Sequence, residues 1–131
     1  MYTKENLVGI LLSLPKLEIN VIPDDSTRIG YRVRLRATFR GGSEMLQAIQ
    51  RTLLQYDIES RYRDEEHKSR PRPILAVTGK KNLNPLCELV PDNLPDIRNE
   101  WGNFKEAVDL FDRNMQHTLT GLERIIELKS E

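Results

Sequence analysis

The stretch YRVRLRATFR, residues 31–40, alternates without a break. Successive side chains of an extended strand point to opposite faces, so Tyr31, Val33, Leu35, Ala37 and Phe39 share one side, and Arg32, Arg34, Arg36, Thr38 and Arg40 share the other. A strand that is apolar on one face and polar on the other belongs in a sheet with one buried and one wet face, which is the habit of antiparallel sheets.

The neighbouring sequence supplies the partner. KLEINVI (16–22) also alternates, with Leu17, Ile19 and Val21 on one face, and PDDSTRIG (23–30) between the two runs is rich in turn formers. Residues 16–40 are therefore expected to form an antiparallel hairpin. Ahead of it lies LVGILLSLP (7–15). Residues 4–14 read as a helix, with Thr3 as N-cap, Glu5 in the first turn and Pro15 as the stop. Leu7, Ile10, Leu11 and Leu14 form its stripe, widened by Val8 and Leu12, which predicts burial on more than one side. Gly9 interrupts this apolar run at a cost of about 1 kcal/mol in helix propensity relative to Ala, so it calls for a reason.

Beyond the hairpin, Gly41-Gly42 ends the strand and Ser43 is the expected cap of a helix whose apolar positions are Met45, Leu46, Ile49, Leu53 and Leu54. IESRYR (58–63) and PILAVTG (73–79) read as paired strands, joined by the hydrophilic DEEHKSRPRP (64–73). A helix over 80–90 would turn Leu83, Leu86, Cys87 and Val90 inward. PDNLPDIRNE (91–100) reads as a loop. A helix over 100–115 carries Trp101, Phe104, Val108 and Phe111, and Thr118 caps a last helix to about 128 with Leu119, Leu122, Ile125 and Ile126 inward. The order αββα-ββ-ααα predicts an α+β fold with an antiparallel sheet and segregated helices.

The chain has 131 residues, the size of a single domain with one core. With 38% hydrophobic and 31% charged residues it has a globular composition. No apolar run is long enough to span a bilayer, and MYTKENL lacks the features of a secretory signal, so a cytoplasmic protein is expected. One cysteine, Cys87, excludes an intrachain disulfide, and with His67 and His117 as the other soft ligands a zinc site is not expected. Neither a metal nor another cofactor is expected.

The net charge is zero, but it is unevenly spread. Residues 16–81 hold 14 Lys/Arg against 9 Asp/Glu, a net of +5, and residues 82–131 hold 5 against 10, a net of −5. Local potential steers a polyanion more than net charge does. Three arginines at strand period must project together and repel one another. Cross-strand Glu18 and Glu59 are candidate counter-charges. A solvated sheet face and a nucleic-acid surface explain that triplet equally well. Further cations nearby favour the second: Arg28 and Arg40 flank the strand, Arg61 and Arg63 alternate on the next one, and Lys68, Arg70 and Arg72 fill the following loop. Arginine presents a planar fork of donors to phosphates or guanine edges.

LVGILLSLP followed by a hairpin, a helix, a second hairpin and closing helices resembles the LAGLIDADG homing endonuclease family. "YDIESRY…PILAVTGKKNLNPLCELVP", "EWGNFKEAVDLF" and "HTLTGLERIIEL" resemble its later segments, and the resemblance covers roughly residues 4–128. It implies the αββαββ-type fold with a saddle-shaped sheet. It also implies a homodimer joined through the first helix, with Leu7, Gly9, Ile10, Ser13 and Leu14 as interface candidates. Small residues at Gly9 and Ser13 suit close backbone approach; packing of Gly9 against its own sheet is the other reading. The implied partner is double-stranded DNA on a pseudo-palindromic site, contacted by Arg28, Arg32, Arg34, Arg36, Arg40, Arg61, Arg63, Lys68, Arg70 and Arg72. In the family the signature helix ends in an acid that binds the catalytic divalent metal. Alignment puts Leu14 there, and leucine cannot ligate a hard cation. The expectation is a DNA-binding scaffold without a catalytic residue, acting as a transcriptional or nucleoid-associated factor. An active metal-dependent endonuclease using Glu18, an RNA-binding maturase-like protein and a pure protein-interaction module are the alternatives.

Overall fold

The computed structural model of the chain describes residues 2–92 and 100–130. The element order is α1 (Lys4–Ser13), β1 (Lys16–Pro23), β2 (Tyr31–Arg40), α2 (Ser43–Leu54), β3 (Arg61–Arg63), β4 (Ile74–Thr78), α3 (Lys80–Leu89), α4 (Glu100–Asp112), a 3-10 turn η1 (Met115–His117) and α5 (Leu119–Ser130). The strands form a four-stranded antiparallel sheet of order β1-β2-β4-β3, so the class is α+β. Most of the loop expected over 91–100 lies outside the described residues.

The chain divides into two compact units, Met1–Lys16 with Ala37–Pro91, and Leu17–Arg36 with Asp92–Glu131. In the first, α2 and α3 pack on the β3–β4 pair, whose register sets Arg61 opposite Ala76, Tyr62 opposite Leu75 and Arg63 opposite Ile74. Its core holds Leu7, Leu11, Phe39, Leu46, Ile49, Leu53, Ile58, Leu75, Val77 and Leu86. The Thr3 cap forms as the sequence requires, its hydroxyl accepting from the Asn6 N–H, an interaction worth about 1 kcal/mol. Ser43 is not the cap of α2. Gly42 takes that place and Ser43 opens the helix, where its hydroxyl accepts from Tyr62 and from the Gln47 amide. The third strand is shorter than 58–63, because Ile58 is wholly buried at the end of the α2 turn and only Arg61–Arg63 pair with β4. Leu54 points to solvent, one position past the stripe that Leu46, Ile49 and Leu53 bury.

In the second unit β2 buries Val33 and Leu35, and α4 and α5 bury Trp101, Phe104, Ala107, Val108, Leu122, Ile125 and Leu128. The Trp101 and Phe104 rings meet edge to face, centroids 5.9 Å apart. Three inward assignments fail here. Tyr31 is exposed because it opens the strand, and Leu119 (65% exposed) and Ile126 lie on the outer face of α5, where Leu128 takes the buried place instead. The helix expected over 100–115 stops at Asp112. Asn114 adopts a left-handed conformation, φ 59°, and the chain makes the 3-10 turn before Thr118, whose hydroxyl accepts from the Gly121 N–H as a helix cap.

Candidate nucleic-acid interface

Strand β2 realises its alternation where it matters most. Arg32 and Arg34 are exposed while Val33 and Leu35, the residue after each, are buried. Arg36 is different. Its Nε donates to Glu18 Oε2 and its Nη2 to Glu18 Oε1, both at 3.1 Å, a bidentate cross-strand pair with side-chain exposures of 27% and 13%. β1 does not alternate: every residue from Leu17 to Ile22 is half-buried, and at Glu18 the covering group is the Arg36 guanidinium. At the hairpin turn the Asp24 carboxylate accepts from the Ser26 N–H (3.0 Å) and hydroxyl (2.6 Å). These bonds, with a smaller contribution from Arg32, hold its pKa below the ordinary value. Arg28 is exposed on that turn, in a shallow cleft lined by Ser26, Thr27, Arg28, Ile29 and His117.

In the other unit, Arg61 and Arg63 are exposed on β3, and Lys68, Arg70 and Arg72 are exposed on the segment that follows. That segment is more ordered than a plain loop. The Glu66 N–H donates to Arg72 O (2.8 Å), and His67 and Arg70 exchange backbone bonds, so residues 66–72 form a small hairpin. Glu66 organises it. Arg40 grips its carboxylate through Nε (2.7 Å) and Nη2 (3.0 Å), and Arg72 and Arg70 stand 3.7 and 3.9 Å away. The Arg40 bonds first, then the charges of Arg40, Arg72 and Arg70, lower the Glu66 pKa to about 2. Arg40 also donates through Nη1 to Thr38 (3.0 Å), which is buried although it shares the arginine face. Glu59, the second expected counter-charge, instead faces Lys81 at 3.8 Å.

The ten candidate cations thus fall into three kinds. Arg36 and Arg40 are locked on carboxylates, Arg70 and Arg72 are exposed but stand within ion-pair distance of Glu66, and Arg28, Arg32, Arg34, Arg61, Arg63 and Lys68 are exposed and join no ion pair among the described residues. Sequence reasoning missed Glu66, whose role depends on a hairpin register that residue types do not reveal.

On α1, Leu7 and Leu11 are wholly buried in their own unit, which removes Leu7 from the candidate helix contact. Ile10 and Leu14 are half-buried, and Gly9 and Ser13 are exposed. A Cβ at Gly9 would meet nothing within 4 Å, so the glycine does not serve packing inside this chain. The Ser13 hydroxyl donates to Gly9 O at 2.9 Å. The expected burial on more than one side is therefore not reached within one chain. Among the described residues, no helix is long and apolar enough to cross a membrane.

No family model and no curated protein matches the sequence. Solved structures do match its fold. The crystal structure of the homing endonuclease I-TnaI superimposes with a TM-score of 0.81 at 16% identity, over 98% of this chain and 86% of that one. The archaeal intron-encoded homing endonuclease I-Vdi141I, complexed with DNA, gives 0.81 and 16% over 97% of this chain and 79% of that one. The LAGLIDADG meganuclease I-CpaMI, bound to uncleaved DNA, gives 0.80 and 16%, and there this chain spans 45% of the longer protein. The chain has the LAGLIDADG homing-endonuclease fold.

Proposed function

We propose that this chain is a double-stranded DNA-binding protein derived from a LAGLIDADG homing endonuclease, acting as a homodimer on a pseudo-palindromic site and no longer cleaving it. The observation that carries the DNA reading is on β2, where Val33 and Leu35 are buried while Arg32 and Arg34, alternating with them, stand exposed. The fold supports it, since I-CpaMI and I-Vdi141I have this fold and were solved on DNA. Exposed arginines neutralise phosphates and release counterions, giving affinity that falls steeply with salt.

The dimer reading rests on α1. Gly9 and Ser13 form an exposed, small-residue face flanked by half-buried Ile10 and Leu14, on a helix with no packing need for a glycine. A single chain spans less than half of I-CpaMI, the proportion expected where one long protein does the work of two copies.

The loss of cleavage rests on the residues that follow the helix. Leu14, where the family places its metal-binding acid, offers hydrocarbon. Glu18, the first carboxylate beyond it along the chain, has both oxygens engaged by Arg36. These residues do not fit a divalent cation, which requires available oxygen ligands. Such a protein would serve transcription or chromosome organisation.

Gel shift on a duplex selected from a random pool tests the proposal. Replacing Arg32 and Arg34 together by Ala is expected to weaken binding at least about ten-fold at moderate salt and to flatten the salt slope by about two contacts. Unchanged affinity would overturn the sheet as the binding face. Preference for structured RNA in competition would favour the maturase-like alternative. Mg²⁺-dependent cutting of the selected site, abolished in Glu18→Gln, would restore the nuclease.

A further inference from the structure

Within the proposed DNA reading, the arginines of β2 are not equivalent, and their difference has a chemical meaning. Arg32 and Arg34 are exposed and join no ion pair among the described residues, so no carboxylate fixes the plane of their guanidinium groups. Arg36 is held. Its Nε and one Nη2 hydrogen go to the two oxygens of Glu18, at 3.1 Å each, which fixes both the position and the plane of the guanidinium. The pair occupies one long edge of the fork and leaves the other edge, Nη1 with the remaining Nη2 hydrogen, without a partner among the described residues. The side chain keeps 27% exposure, so it is reachable from solvent.

We propose that Arg36 reads a guanine in the major groove, and that Glu18 is the positioning residue that presents it. Guanine offers O6 and N7 side by side as acceptors, and a planar donor pair in a fixed orientation is the complement of that edge. A phosphate-binding arginine has no need of such a brace. Phosphate oxygens accept from many directions, and a neighbouring carboxylate weakens attraction to an anion. For a base contact the balance reverses. The carboxylate fixes the fork before binding, so less rotamer entropy is lost in the complex. It also repels a phosphate that would compete for the same arginine. Arg40 looks similar but is not an equivalent reader, because Glu66 and Thr38 together engage Nε, Nη1 and Nη2.

The inference rests on the DNA reading, and its test separates the two. Random-pool duplex selection is run with the full-length chain and with Arg36→Ala, Arg36→Lys and Glu18→Gln, each checked for folding by thermal melting. The wild type should enrich guanine at one position of each half-site. Arg36→Ala should lower discrimination at that position about ten-fold and leave other positions alone. Arg36→Lys should keep charge but lose the preference, and Glu18→Gln should flatten the same position while affinity for non-selected duplex holds or rises. A uniform loss of affinity across all sequences in Arg36→Ala, with a shallower salt slope, would make Arg36 a phosphate contact and overturn the proposal. So would a Glu18→Gln profile identical to wild type. A wild type that binds duplex DNA without enriching guanine would overturn the guanine reader and leave the DNA reading standing. A wild type that binds no duplex would remove both.

Discussion

At Gly121 a single missing methyl group decides how the last helix begins. A Cβ there would sit 2.0 Å from the Met115 carbonyl oxygen and 2.6 Å from its carbon, both backbone atoms that cannot swing aside. Gly121→Ala is therefore expected to lower stability by about 1–3 kcal/mol, as overpacking does, and a denaturant melt showing no loss would mean that the 3-10 turn yields. The same residue illustrates what a sequence hides. Gly121 lies inside a good helical pattern, and nothing local tells that residues 115–117 fold back upon it. The β2 arginines were legible as a row because period two needs no knowledge of the rest of the chain. Which of them is braced was not legible, because that depends on Glu18 arriving opposite Arg36 across a hairpin. Leu119 and Ile126 were misplaced for a related reason. Periodicity marks an apolar stripe, but the neighbouring elements decide which edge of the stripe is covered.

Among the elements, the 66–72 hairpin is closed by backbone bonds and carries a carboxylate, Glu66, that faces Arg40, Arg70 and Arg72. Glu66 has an ordinary pKa of 4.5 and is held at about 2 in the fold. A depressed pKa means that the folded state favours the ionised form, so its contribution is fully present above about 4.5 and is lost as pH falls toward 2. Glu66→Gln should then be less stable than wild type near neutral pH, and the gap should close as acid is added through that window. A gap independent of pH would place the effect in packing rather than in charge. In the second unit Glu106, bonded to Arg124 through both oxygens, also has its pKa lowered, chiefly by the Arg124 hydrogen bonds and then by its charge. Acid should weaken that contact between α4 and α5 in the same direction. Strand and helix order was readable from pattern and punctuation. The 66–72 hairpin was not, because Pro71 and Pro73 in a hydrophilic run signal an open loop, while the bonds that close it come from backbone groups that carry no residue signature.

For the molecule as a whole, the proposed self-association separates two quantities that mutations normally move together. Gly9→Ala adds a methyl group that would meet, apart from its own stretch of helix, no atom of the described residues within 4 Å. Within one copy the change should stabilise by up to about 1 kcal/mol through helix propensity. Between copies it should push the helices apart and weaken the dimer. Gly9→Leu should carry this to monomers by sedimentation at concentrations where the wild type is dimeric. A Gly9→Leu dimer as tight as wild type would locate self-association elsewhere.

The empty space over Gly9 also makes the helix a covalent reporter. In the proposed dimer a twofold axis passing near residue 9 would bring each copy of that position to its own mate, so a thiol placed there would meet an identical thiol. Gly9→Cys, in a chain with Cys87 replaced by Ala, should oxidise spontaneously to a species of twice the mass. Two Cα atoms can be bridged only when they lie within about 7 Å. The crosslink would thus convert a missing side chain into a measure of how closely two backbones approach.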